Sequence, residues 1–139
     1  DTGDIARIDE EGYLYIMDRA KDLIIRGGEN ISCAEVESAV YEHSAVKEAT
    51  SFGIKEERLG EEVAVAITLK DGADLDPAEF NKFVSGRLAR FKVPTRVFIW
   101  PGDLPRGATG KIPKRDVRDD IEAGKTAGVV ELKLAAAKL

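Results

Sequence analysis

Val46-Lys47-Glu48-Ala49-Thr50-Ser51-Phe52-Gly53-Ile54 and Glu62-Val63-Ala64-Val65-Ala66-Ile67-Thr68-Leu69, with the turn Arg58-Leu59-Gly60-Glu61 between them, decide the fold. Each run is short and is bounded by turn residues, so each reads as a strand. The second is the more apolar and is expected at the centre of a sheet, where both faces are covered. Upstream, Ser32-Cys33-Ala34-Glu35 reads as a capping box. The Ser32 hydroxyl can accept from the Glu35 N–H while the Glu35 side chain returns to Ser32. A helix is expected to about Tyr41, with Val36, Ala39 and Val40 turned inward at helical spacing. Downstream, Asp76-Pro77-Ala78-Glu79 starts a second helix, with Asp76 as N-cap and Pro77 at the first helical position. Phe80, Phe83, Val84 and Leu88 lie on its apolar face.

The remaining elements frame this centre. Ile5 to Ile8, the turn Asp9-Glu10-Glu11-Gly12 and Tyr13 to Met17 read as a β-hairpin. Leu23-Ile24-Ile25 is a short strand halted by Gly27-Gly28. Thr95 to Trp100 is a further strand, and Lys114 to about Ala123 a short helix. Residues 129–139 are rich in Ala and Leu and could form a last helix; whether it packs on the domain, meets a partner or is foreign to the domain stays open. The expected class is α+β: a small sheet packed with two main helices, preceded by a semi-detached N-terminal hairpin. The expected division is 1–20 for the hairpin segment, 21–123 for the main domain and 124–139 for the tail.

With 139 residues, 43% of them apolar, the chain can build one modest core. Cys33 is the only cysteine and His43 the only histidine, which excludes an internal disulfide and argues against a zinc site or a Cys/His dyad. A reducing, cytoplasmic setting fits. The apolar run Val63 to Leu69 is too short to cross a bilayer, so no transmembrane segment is expected. The chain opens on Asp1 rather than a methionine, as expected of a domain taken from a longer polypeptide. Net charge is −5, which argues against nucleic acid as a partner. Residues 1–81 carry 8 basic and 20 acidic side chains, whereas residues 82–118 carry 10 basic and 2 acidic. The basic block is either a solvated face or a surface for something anionic, such as the phosphates of a small cofactor.

One basic residue stands out by its setting. Leu104-Pro105-Arg106-Gly107-Ala108-Thr109-Gly110-Lys111-Ile112-Pro113 is glycine-rich and bracketed by prolines. Such a loop can present a flexible ammonium to an oxyanion or phosphate. It is not a phosphate-cradling P-loop: Pro105 stands where the first glycine should be, and Ile112 where Ser or Thr should follow the lysine. A solvated surface lysine would sit in the same kind of loop, so the loop alone does not decide.

Two further stretches do. Thr2-Gly3-Asp4 precedes the hairpin, and Asp18-Arg19-Ala20-Lys21-Asp22-Leu23-Ile24-Ile25-Arg26-Gly27-Gly28-Glu29-Asn30-Ile31 follows it. With the Lys111 loop, in this order, they resemble the C-terminal part of the adenylate-forming enzymes, over residues 1–122. Within that superfamily the wording is most similar to fatty-acyl or related acid–CoA ligases. The resemblance implies a two-step reaction, in which a carboxylate and ATP give acyl-AMP and pyrophosphate, and CoA then gives acyl-CoA and AMP. It also implies that this small domain swings between two poses on a large N-terminal domain of the same polypeptide. ATP and CoA are the implied cofactors, and Mg²⁺ with ATP would be held outside this chain.

The implied roles follow by position. Asp4 would accept hydrogen bonds from the ribose hydroxyls. Arg19 would hold the ribose and phosphate region with its guanidinium fork. Lys21 would be the hinge. Lys111 would be the adenylation lysine, bridging acid and α-phosphate as charge gathers on the phosphorus oxygens. Gly27 and Gly28 would line the pantetheine tunnel, and Arg58 and Lys92 would contact CoA. Ile25 stands where some relatives carry a second lysine, so no such role is expected here. The alternatives are an amino-acid-adenylating or luciferase-like member, or an interaction module that keeps the fold without the chemistry.

Overall fold

The apolar run Val63–Ile67 lies inside a six-stranded sheet in the computed structural model, which describes residues 23–106, 112–125 and 127–132. In chain order the elements are β1 (Leu23–Arg26), β2 (Glu29–Ser32), α1 (Cys33–Tyr41), β3 (Val46–Glu56) and β4 (Gly60–Leu69). They continue with α2 (Pro77–Ser85), a 3-10 turn (Arg90–Lys92), β5 (Arg96–Ile99), α3 (Lys114–Glu122) and β6 (Val130–Glu131). The class is α+β, as expected. The hairpin expected over residues 5–17 lies outside the described residues.

β4 organises the sheet. It pairs antiparallel with β3 along nearly its whole length, from Val46↔Leu69 to Glu56↔Gly60. Its other edge is shared by β1, which meets it at Arg26↔Gly60, and by β5, which runs parallel to it from Ala64↔Arg96 to Ile67↔Ile99. β2 and β6 extend the sheet from β1 and β5. A parallel pair needs a crossover, and α2 supplies it between β4 and β5.

Alternation along β4 splits the core into two layers. Val63, Val65 and Ile67 face α1 and α2, where they meet Val36, Val40, Phe80 and Val84. Ala64 and Ala66 face the other side, where Phe52, Phe98, Leu104 and Val117 fill the space that alanine leaves. Large residues on one face and small ones on the other let two helices pack on one side and a single short helix on the other.

The helix starts follow from local chemistry. The Ser32 hydroxyl accepts from Glu35 N at 3.3 Å, and the Asp76 carboxylate accepts from Glu79 N at 2.9 Å. Only half of the expected capping box forms, because the Glu35 carboxylate turns to Lys92 Nζ (3.0 and 3.1 Å) instead of returning to Ser32. α2 ends at Ser85, so Leu88 joins the core from the loop beyond it. Gly27-Gly28 does not end a lone strand. It is the two-residue turn of a β1–β2 hairpin, with φ of +56° and +87°, the positive values a type I′ turn demands. In the tail, Val130–Glu131 form a strand on β5 rather than part of a helix, and Leu132 N donates to Val97 O at 2.9 Å. Residues 133–139 lie outside the described part. No helix among the described residues is long and apolar enough to cross a membrane.

Candidate functional site

Asp4, Arg19, Lys21 and Lys111 lie outside the described residues. The other four expected site residues gather at one corner. Gly27 and Gly28 form the hairpin tip, and Gly27 N donates to Leu59 O at 2.7 Å. That bond places the tip beside the turn carrying Arg58, which is exposed. Arg26, just before the tip, donates from Nη1 to Phe91 O at 3.1 Å. This fixes the 3-10 turn, and with it Lys92, to the same corner. A Cβ built on Gly28 would meet no heavy atom within 4 Å, so its Cα faces open space that a ligand can approach.

Acidic residues share this corner, with Glu29 beside the tip and Glu56 and Glu57 before Arg58, and Lys92 is not free within it. Both oxygens of Glu35 hold its ammonium. The same holds across the basic block. Arg87 lies on Glu42, Arg106 on Glu48 and Lys114 on Glu37. Arg96 makes a two-point contact with Glu131, at 2.8 and 2.9 Å. That hydrogen bond raises the Arg96 pKa above its ordinary value, against an opposing effect of burial and with help from the charges of Glu131 and Glu62. Much of the charge asymmetry is therefore spent inside the fold, on carboxylates of α1 and β3.

The lysine-bearing loop is held on both sides. On the N-terminal side Leu104 is buried among Phe52, Phe98 and Val117. Its N–H donates to Glu48 Oε1 at 3.1 Å, and Arg106 pairs with the same carboxylate. On the C-terminal side Lys114 Nζ pairs with Glu37 and donates to Thr50 Oγ1 and Ser51 O, both at 3.1 Å. Ser51 N donates to the same Glu37 carboxylate at 2.8 Å. The ion pair thus takes the place of a neighbouring strand along the outer edge of β3. A groove of about 380 Å³, lined in part by Phe52, Gly53, Ile112 and Lys114, opens beside this side of the loop. These anchors were not foreseen from the sequence. Glu37, two residues after the capping Glu35, and Lys114, three after Lys111, carried no local signal. Among the described residues no group of three or more His, Cys, Asp or Glu could hold a metal ion.

The two-layer α+β fold, with a glycine hairpin tip at one corner, defines the class of this chain as a small α+β domain. Residues 35–111 match the AMP-binding enzyme C-terminal domain, and the chain belongs to that family. It is 45% identical over 121 residues to the mitochondrial medium-chain acyl-CoA ligase ACSF2 of Danio rerio, a match spanning 87% of this chain and 20% of that protein. Among solved structures, ATP-bound MatB from Rhodopseudomonas palustris matches with a TM-score of 0.73 at 37% identity, over 87% of this chain and 24% of that one. The Mycobacterium tuberculosis fatty acyl CoA synthetase matches with a TM-score of 0.71 at 41% identity, over 88% and 24%. The chain thus spans about a fifth of the length of the curated relatives it matches.

Proposed function

We propose that this chain is the mobile C-terminal lid of an ATP-dependent acid–CoA ligase. The observation that carries the reading is the 45% identity, across 87% of the chain, to a protein named as a medium-chain acyl-CoA ligase. In the first half-reaction a carboxylate oxygen attacks the α-phosphorus of ATP, the bond to the β-phosphate bridge breaks and pyrophosphate leaves. Lys111 offsets the repulsion between the two anions and the charge that gathers between them, with Asp4 and Arg19 on the nucleotide. After rotation about Lys21 the hairpin tip faces the large domain. The CoA sulfur then attacks the acyl carbonyl, and AMP leaves. An open Cα at Gly28, flanked by Arg58 and Lys92, suits a narrow pantetheine path with phosphates at its mouth. Mg²⁺ would accompany ATP on the large domain. A reducing, cytoplasmic compartment is proposed on the single buried Cys33.

The test uses the full-length ligase carrying this domain. Lys111→Ala should lower acid-dependent exchange of pyrophosphate into ATP by about 10²–10³-fold, the usual cost of losing one preorganised charge-stabilising group. Thioester formation from supplied acyl-AMP should change by less than about threefold. Equal losses in both steps would refute the division of labour, and no loss in either would refute the reading itself.

A further inference from the structure

We propose that Arg26 is a positioning residue for the thioester step, bracing the Gly27-Gly28 tip against the 3-10 turn Arg90–Lys92. The inference rests on the function proposed above. The β1–β2 hairpin is lightly tied to the sheet: β1 meets β4 at one ladder pair, Arg26↔Gly60, whereas β3 runs along nearly all of β4. A two-stranded hairpin needs such outside support, being marginal alone. Gly27 N to Leu59 O at 2.7 Å and Ile25 N to Glu61 Oε1 at 2.8 Å reinforce the β4 seam. Toward the 3-10 turn the hairpin has a single hydrogen bond among the described residues, from Arg26 Nη1 to Phe91 O at 3.1 Å, across 65 positions of sequence. The turn itself has no side-chain cap, and Lys92 ties it to Glu35 of α1. Arg26 therefore joins the tip to the helical layer.

Two physical arguments give this contact a catalytic meaning. First, the guanidinium makes its bond at a cost. Arg26 Nε is buried and has no hydrogen-bond partner among the described residues. An unpartnered buried donor lowers stability, and an apolar side chain of similar length would carry no such loss. Stability alone thus does not favour arginine at this position. What arginine supplies is reach to the Phe91 carbonyl and a rigid planar end that holds a fixed distance. Second, the tip has a task that tolerates little error. Gly27 and Gly28 sit at φ of +56° and +87°, and an added Cβ on Gly28 would meet no heavy atom within 4 Å. The same glycine freedom that opens the path for a ligand also lets an unbraced tip drift. A displacement of about 1 Å can cost on the order of 10²-fold in rate.

The experiment uses the full-length ligase with Arg26→Met, which fills much of the same space without a donor, and Arg26→Lys, which keeps a cationic donor. In Arg26→Met, kcat/KM for CoA in thioester formation from supplied acyl-AMP should fall by between about 10- and 100-fold, while acid-dependent pyrophosphate exchange changes by less than about threefold. Hydrogen exchange at Gly27 N should quicken. Arg26→Lys should recover most of the lost rate. Pantetheine in place of CoA should show the same fold-loss, because the tip is assigned to the pantetheine arm and not to the phosphates. Equal loss in both half-reactions would mean general damage to the domain and would overturn the inference. So would a loss that disappears with pantetheine, which would make Arg26 a phosphate ligand, or a lysine variant as slow as the methionine one. Unchanged thioester formation in Arg26→Met would also overturn it, while leaving the proposed function standing so long as Lys111→Ala abolishes pyrophosphate exchange. Exchange unaffected by Lys111→Ala would instead strike at that function.

Discussion

Gly53 lies in the middle of β3, opposite Val63, with the Glu61 carboxylate laid across its Cα. A Cβ at this position would come within 2.5 Å of Glu61 Oε1, 2.6 Å of Cδ and 2.9 Å of Oε2. Those distances are impossible for a real side chain, so something must move. The obstacle is the end of a flexible side chain, and the carboxylate is what yields. It cannot yield without loss, because Oε1 accepts from Ile25 N at 2.8 Å. That bond, Gly27 N to Leu59 O and the Arg26↔Gly60 pair form the seam between β1 and β4. A hydrogen bond to a charged acceptor is worth roughly 1.5–3 kcal/mol when buried. Ile25 is exposed, so water replaces part of it and the loss is about 1–1.5 kcal/mol. Against this, replacing glycine by alanine in an extended conformation stabilises by roughly 0.4–1 kcal/mol through the unfolded chain. Gly53→Ala should therefore destabilise the protein by up to about 1 kcal/mol.

The sign should reverse when the obstacle is removed. In a Glu61→Ala background the new methyl meets no carboxylate, and Gly53→Ala should stabilise by about 0.4–1 kcal/mol. The coupling between the two positions is then about 1–1.5 kcal/mol, within the range found for touching residues. Urea unfolding of the four variants, followed by circular dichroism, reads this directly, with unchanged slopes confirming that the unfolded state is not the cause. Hydrogen exchange at Ile25 N should quicken in Gly53→Ala and in Glu61→Ala, each of which takes away its acceptor. Equal destabilisation in both backgrounds would refute the argument, since it would locate the strain in the backbone and not in Glu61.

Other consequences are simpler. Ser32→Ala and Asp76→Ala should each cost about 1 kcal/mol in urea unfolding, because each side chain caps one helix through a single backbone N–H. Gly28→Ala should cost about 1–2 kcal/mol from its left-handed φ of +87° alone, as no neighbour obstructs the methyl; a neutral result would mean the turn relaxes to another form. Glu35→Ala releases Lys92, and in the full-length ligase KM for CoA should fall up to about fivefold, matching the weak energy of a partly exposed pair. An unchanged KM would remove Lys92 from the proposed CoA contacts.

Local chemistry was legible in the sequence wherever one interaction within a few residues decides the outcome. The Ser32 and Asp76 caps and the central place of the apolar run Val63 to Ile67 are of this kind. β2 escaped notice because Glu29-Asn30-Ile31-Ser32 turns only Ile31 into the core, too little to stand out as a strand. β6 escaped because its pairing depends on β5, and an Ala/Leu-rich tail favours helix on local grounds alone. The anchors of the lysine loop are illegible for a stronger reason. Glu37 and Lys114 are 77 residues apart, Glu48 and Arg106 58, and nothing local marks either pair. Glu35 shows the conflict within a single residue. The capping rule directs it back to Ser32, but a cation 57 residues away takes it instead, since an ammonium adds a full opposite charge that a backbone N–H lacks.

The same competition changes the meaning of the charge pattern. An acidic first part and a basic later part suggest an anion-binding face, yet Glu35 and Glu37 of α1, Glu42 just after it and Glu48 of β3 each hold a cation from residues 82–118. The segregation serves the assembly of the fold before it serves any ligand. What is offered outward is the small remainder, and its location is informative. It comprises the exposed Lys82, Arg90 and Arg115, with Lys92 available only when a competitor displaces Glu35. Pairing between distant residues therefore lowers the charge that the basic block offers to a ligand without removing it.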